Sequence, residues 1–450
     1  MTRVLLLIGL VVGACAPTVE PSPRPPTATP LATAPVNPTE NPFPSLPFFP
    51  LPSAIAADPA AGTIVFNDRA GSWRYDGTRG ALAPLPVAAN LQAVDRHVVV
   101  TQPLVAGLDA GLFDARTGAF LRTLPQETAK SDSLSVSADG KRVTYVTPQK
   151  GLRIAFQQPF GNVDGRALAR DRLFSNTLIA PSGGVIAATG PSLADLATPG
   201  TQAFGRAAGS ARDVWLVDVV SGAARQIYCT VDPCPPGLRP GGHVLQLLSW
   251  SPDERYLLVR EPSAASGEDF DGRTFFILDT QTGAVADLGV GQSFFSWRTW
   301  IGPHALAYVV GLGHETPKRL RLWSAEGGVR DVTDATGVAV SPSFGVVDGL
   351  VYLVLDGHLA TFDPGSSAIR RLASDATWAE DAVRVADDGM DLLVLRRRVA
   401  DGQLELWRMS RDASVAHELV RYSPPLLPQD ASRYGTFPSA STFDRLAWSR

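Results

Sequence analysis

From about residue 53 onward, short apolar runs recur along the chain, each cut by a tight polar turn. One phrase pairs an apolar strand with a Ser/Ala-Pro/Asp-Gly turn and a more apolar second strand. It stands at Ile55-Ala-Ala-Asp-Pro-Ala-Ala-Gly-Thr-Ile-Val-Phe, Leu134-Ser-Val-Ser-Ala-Asp-Gly-Lys-Arg-Val-Thr-Tyr-Val, Leu178-Ile-Ala-Pro-Ser-Gly-Gly-Val-Ile-Ala-Ala, Leu248-Ser-Trp-Ser-Pro-Asp-Glu-Arg-Tyr-Leu-Leu-Val and Val383-Arg-Val-Ala-Asp-Asp-Gly-Met-Asp-Leu-Leu-Val. Weaker copies begin near Leu91, Phe294 and Val338. Asp and Gly supply the turn, β-branched and aromatic residues the strands, so each copy predicts a β-hairpin.

A second phrase follows each of the first, with an apolar strand, a polar turn and another strand. Its copies include Leu112-Phe-Asp-Ala-Arg-Thr-Gly, Trp215-Leu-Val-Asp-Val-Val-Ser-Gly, Phe276-Ile-Leu-Asp-Thr-Gln-Thr-Gly and Thr361-Phe-Asp-Pro-Gly-Ser-Ser, with diverged forms at Trp73, Arg153, Leu322 and Leu406. Two consecutive hairpins make one four-stranded antiparallel sheet, repeating at about 40–50 residues, the period of propeller blades. The predicted fold class is all-β, a β-propeller of four-stranded blades. Eight second phrases predict eight blades, or seven if residues 150–175 are irregular. The segment 442–450 reads as one more strand, placed to close the ring against the first blade and remove an open edge. Ser-Trp-Ser-Pro-Asp-Glu-Arg-Tyr-Leu-Leu-Val and Ser-Ala-Asp-Gly-Lys-Arg-Val-Thr-Tyr resemble the TolB-type and Trp-Asp-like propeller repeats of bacterial exported proteins. That resemblance covers most of residues 53–450 and implies architecture, not activity.

The N-terminal pattern differs. Arg3 precedes an apolar run from Val4 to Val12 that is short for a bilayer span, and Val12-Gly13-Ala14-Cys15 is a small-residue site ending in cysteine. These residues resemble the lipobox of bacterial lipoproteins. The resemblance implies a signal peptide at residues 1–14, a diacylglyceryl thioether on Cys15, export, and tethering to the cell membrane. An ordinary signal peptide with an incidental cysteine is the alternative. Residues 15–52 are dense in Pro, Thr, Ser and Ala, with few groups to build a core, and predict an extended, partly polyproline II tether. The propeller is expected over 53–450.

Composition narrows the partners. With 40 basic and 44 acidic side chains the net charge is −4, so no basic field draws nucleic acid. With Cys15 assigned to lipid, Cys229 and Cys234 remain in Cys-Thr-Val-Asp-Pro-Cys. In an oxidising compartment this pair reads as a local disulfide. Half of a metal site is the competing reading, but structural zinc needs four ligands and no second pair lies nearby.

Loop lengths carry the positional information about function. First-to-second and third-to-fourth strand turns emerge on one face of a propeller; the other connections emerge on the opposite face. The long segments 190–212, 228–244 and 262–273 all fall in the second set. They hold Phe204, Arg206, Arg212, Arg239, His243, Glu268, Asp269, Phe270 and Asp271, aromatic and charged side chains suited to a protein or carbohydrate partner. Tolerated surface insertions are the equal alternative.

No Gly-x-Ser-x-Gly elbow, His-Glu-x-x-His, Walker loop or dinucleotide fingerprint is present, and six histidines stand singly. Glu268-Asp-Phe-Asp-Gly lacks the remaining acids of a calcium loop. No catalytic residue, metal or cofactor is therefore assigned. Tryptophans 73, 215, 250, 297, 323 and 407 are read as blade packing. The expected function is a monomeric, membrane-tethered, extracytoplasmic protein- or glycan-binding scaffold of the cell envelope. The alternative is a glycan hydrolase or lyase with paired carboxylates at the central channel.

Overall fold

The computed structural model describes most of residues 51–449; residues 1–50, 192–211, 230–245, 261–272, 311–318, 333–339, 424–446, Arg450 and several shorter stretches fall outside the description. The chain divides into Met1–Phe48 and Phe49–Arg450, and the second unit carries the sheets.

The predicted hairpins form for the reasons their turns announce. Between Leu134–Val136 and Arg142–Val146, the Ser137 hydroxyl donates to the Asp139 carboxylate at 2.6 Å and accepts from the Arg142 N–H at 3.0 Å. Asp139 also accepts from the Lys141 N–H at 3.0 Å, and Gly140 takes φ 67°. Ser251 with Asp253 and Ser410 with Asp412 repeat the device, each pair at 2.6 Å. In the second phrase the Asp carboxylate caps the turn. Asp218 accepts from the Ser221 N–H at 2.7 Å and Asp279 from the Gln281 N–H at 2.8 Å, while Gly222 and Gly283 sit at φ 74° and 73°. Only glycine holds that left-handed conformation without cost.

Eight four-stranded antiparallel units result among the described residues, compatible with the eight-blade expectation. In chain order, blades 1 to 8 are residues 63–84 completed by Ala447–Ser449, then 89–123, 134–168, 176–228, 246–291, 298–331, 340–371 and 378–423. Blades 5 and 6 also touch edge to edge through the Gly291–Val310 pair.

The core lies between neighbouring sheets. One buried apolar cluster joins blades 3 and 4 around Ile154, Phe174 and Val217; others join 4 to 5, 5 to 6, 6 to 7 and 7 to 8. A further cluster joins blade 8 to blade 1 through Leu393, Leu395, Leu406, Phe66, Tyr75 and Trp448. The middle strands of blades 4 to 8 are therefore covered on both faces. Along Leu392-Leu393-Val394-Leu395, alternate residues enter the clusters toward blade 7 and blade 1. That is why these strands read as unbroken apolar runs instead of strict alternation.

Two strands close the ring, one from each end. Ala447–Ser449 pairs with residues 63–65 of blade 1, and the Trp448 indole N–H donates to the Ala61 carbonyl at 2.6 Å. Leu51–Ala54 becomes a fifth, outermost strand of blade 8, pairing with residues 420–423. The copy of the first phrase at Ile55 is accordingly not a hairpin. Ile55 N–H donates to the Leu419 carbonyl at 3.0 Å, Pro59–Ala61 forms a 3-10 turn, and the edge that a local partner would have filled is taken by the C-terminal strand.

Candidate functional site

Strand direction sorts the connections onto two faces. The turn face carries the first-to-second and third-to-fourth strand turns, and the opposite face carries the rest. The connections 192–211, 230–245 and 261–272 leave strand ends at Pro191, Tyr228 and Arg260. These ends share one face, because Asn176 of blade 4, paired with Thr189, accepts from the Leu247 N–H of blade 5 at 3.1 Å. Phe204, Arg206, Arg239, His243, Glu268, Asp269, Phe270 and Asp271 lie outside the described residues, as do Cys15 and Cys234. Arg212 opens the strand Arg212–Asp218 at the root of the first long connection. Cys229 is 2% exposed just after the strand Ala224–Tyr228.

The turn face is knitted blade to blade. Arg142 donates to the Ser182 carbonyl at 3.3 Å, and the Ser182 hydroxyl donates to Glu254 at 3.0 Å. His304 lies 3.1 Å from Asp253, Arg330 donates to the Pro364 carbonyl at 2.9 Å, and Arg411 pairs with Asp348 at 2.8 Å. Arg408 completes the series by holding Asp58 and Asp391, each at 2.6 Å. These contacts link blades 3 through 8 and then blade 1.

On the long-connection face, a polar cluster stands at the junction of blades 7 and 8, where the second-to-third strand turns are short. Strands Trp378–Val385 and Asp391–Arg398 place Trp378 opposite Arg398 and Glu380 opposite Arg396. Arg396 pairs with Glu380 at 3.0 Å, both nearly enclosed, and its guanidinium lies 5.0 Å from the Trp378 ring and 5.3 Å from Trp407. The two indoles meet edge to face at 5.5 Å. Stacked arginine and indole attract through the ring quadrupole. From blade 7, Gly357 accepts the Glu380 N–H at 2.8 Å and His358 Nδ1 approaches the second Glu380 oxygen at 3.8 Å. Burial raises Glu380 above the ordinary carboxyl range, and Arg396 offsets only part of that.

Farther out, Glu405 is fully enclosed and accepts from Arg398 at 2.9 Å and from the Trp407 indole at 2.9 Å. Burial, followed by the nearby Glu418 charge, raises its pKa. Asp381 pairs with Arg397 at 3.0 Å. The arrangement can orient aromatic and cationic groups. Its enclosed carboxylates are each matched to an arginine, which leaves them poorly placed to trade protons with a substrate.

Sequence reasoning assigned Trp407 to packing and passed over Trp378 and Glu380. The turn alone does not reveal the pair: beside it Ala382 lies opposite Leu395, which would set Glu380 against Arg397, and a bulge between Glu380 and Ala382 shifts the register so that Glu380 meets Arg396. Trp215, Trp250 and Trp323 are buried in inter-blade clusters as expected. Among the described residues, no group of three or more His, Cys, Asp and Glu side chains could hold a metal ion.

No family profile matches the chain, and no curated protein sequence matches it. Among solved structures it is similar to dihydro-heme d1 dehydrogenase NirN in complex with DHE, with TM-score 0.51 and 14% identity over 84% of this chain and 76% of that one. A weaker likeness links it to the Cps50 (Swd1) β-propeller domain of Myceliophteria thermophila, with TM-score 0.36, 11% identity, and 73% and 94% of the two chains covered. The β-propeller domain of the Trilobed protease from Pyrococcus furiosus has TM-score 0.36 and 13% identity, with 74% and 95% covered. At such identities the likeness concerns architecture alone: the chain folds as a β-propeller.

Proposed function

We propose that this chain is a lipid-anchored, extracytoplasmic β-propeller of the bacterial envelope that binds a protein or glycan partner with its long-connection face. One observation carries the reading: the longest connections leave one face, and the same face carries the Trp378–Arg396–Trp407 cluster. Loops on a rigid scaffold are where recognition concentrates. Binding is favoured over a two-carboxylate hydrolase because Glu380 and Glu405 are each enclosed and paired with an arginine. Cys229 joined to Cys234 staples the root of one long connection, and Cys15 carries the lipid.

Two measurements test this. Cys15→Ala should move the chain out of the membrane fraction and abolish the acylated N-terminal peptide in mass spectrometry. Removing residues 192–210 should cut recovery of envelope protein or sedimented peptidoglycan several-fold while the thermal melt stays cooperative. Undiminished recovery would remove the binding role of that connection.

A further inference from the structure

The N-terminal end of strand Leu51–Ala54 has a specific address. Leu51 pairs with Ser423, whose neighbour Tyr422 accepts from the Gln403 side chain, and the Arg398 N–H donates to the Gln403 carbonyl at 2.8 Å. Arg398 in turn lies opposite Trp378. Leu51, Gln403, Arg398 and Trp378 therefore form one row across blade 8 at its long-connection end, about 19 Å wide at about 4.8 Å per strand. Val399 sits one residue beyond the row, its N–H donating to the Thr377 carbonyl at 2.9 Å.

This row is amphipathic. Val399 is 61% and Leu51 50% exposed, while Arg398 and Arg421 keep 32% and 41% of their side chains accessible. Apolar side chains, an indole and snorkelling arginines are what a lipid headgroup layer accepts. The turn face also exposes Val220, at 80%, but beside the Asp218 cap and with no connection toward the anchor.

We infer that the long-connection end of blade 8, formed by Leu51, Val399, Trp378, Arg398 and Arg421, rests on the lipid headgroup layer of the membrane that holds the anchor. This deepens the proposed function and rests on its anchored reading. The chain between Cys15 and Leu51 is about 35 residues long, and it joins the propeller in this row. Even at the roughly 3.1 Å per residue of a polyproline II chain, a connection of that length reaches no more than about 110 Å, so the anchor keeps the row near the membrane. A shallow patch of weak intrinsic affinity is sufficient for a chain so held. The long connections then face back toward the anchoring membrane, and the partner is membrane-proximal.

The test uses the full acylated chain reconstituted on vesicles of phosphatidylethanolamine and phosphatidylglycerol. An environment-sensitive fluorophore is attached in separate preparations to Val399→Cys and Val220→Cys. Brominated acyl chains should quench the label at 399 at least threefold more than the label at 220. Equal quenching at the two positions, or none at either, overturns the inference. Mass spectrometry of the N-terminal peptide reports separately whether Cys15 is acylated. If it is not, the same labelled chains titrated with millimolar vesicle lipid still read the patch, and a label at 399 that stays in water sinks it.

Discussion

The junctions between blades 3 and 6 and those from blade 7 round to blade 1 bury similar apolar clusters but satisfy their polar groups in different ways. In the first arc the enclosed stitches are neutral, and the charged contacts at Glu254 and Asp253 lie at the exposed turn face. Ser133 and Ser135 of blade 3 accept the N–H groups of Thr177 and Ile179 at 2.9 and 3.1 Å, the Trp250 indole donates to the Leu178 carbonyl at 3.1 Å, and the Trp300 indole donates to Ser249 at 3.1 Å. In the second arc they are charged: Glu380 with Arg396 beside His358, and Arg408 between Asp58 and Asp391. A neutral stitch costs little to bury and fixes register. A buried ion pair sacrifices hydration on both sides and holds only while both partners remain. The charged arc is thus stable but unforgiving.

The largest effect should come from breaking one partner there. Glu380→Ala leaves Arg396 enclosed between two indoles without its carboxylate, so unfolding free energy should fall by about 3–5 kcal/mol. Replacing the pair together, Glu380→Leu with Arg396→Met, should recover most of the loss, because an apolar pair of similar volume carries no desolvation debt. Urea denaturation of the single and double variants checks both. If the double variant is as unstable as the single, packing of Arg396 on the indoles outweighs its charge.

The same contrast explains what the sequence made legible. Hairpin turns such as Ser137-Ala-Asp139-Gly140 encode their own hydrogen bonds within five residues, so strands and blades follow from local reading. Closure was half legible. The strand near the C-terminus was expected and pairs with blade 1, but the partner of Leu51–Ala54 lies some 370 residues away, and no local pattern marks it. The cluster at blades 7 and 8 was hidden for another reason. Trp378 and Arg396-Arg397-Arg398 look like packing and a solvated face until strand pairing sets Glu380 opposite Arg396 and packing brings in His358 from the neighbouring sheet.

A middle-sized effect belongs to the neutral arc. Ser133→Ala removes the acceptor for the Thr177 N–H, which is buried, and should cost about 1–3 kcal/mol, the penalty for an unsatisfied enclosed donor. Hydrogen exchange at Thr177 should accelerate more than at residues of blade 8. Uniform acceleration across both arcs would mean that the ring opens as one unit rather than junction by junction.

The smallest and sharpest distinction is in pH. Burial raises Glu380 and Glu405 in the folded chain, so folding favours their protonated forms. Their contribution is fully present below the unfolded carboxyl range and is lost as pH rises through the raised folded values. Turn-face Asp412 behaves oppositely: hydrogen bonds from Ser410 and then Ser414 lower it to about 2, so its contribution is present above the ordinary value and fades as pH falls toward 2. The neutral stitches at Ser133 and Ser135 contribute no slope. Urea midpoints measured from pH 3 to 7 should therefore show a decline above about pH 4.5 that Glu405→Gln flattens, whereas Ser133→Ala lowers the whole curve without changing its shape. Parallel curves for both variants would show that the charged arc titrates no differently from the neutral one, and the division between the two would then be one of hydrogen-bond geometry alone.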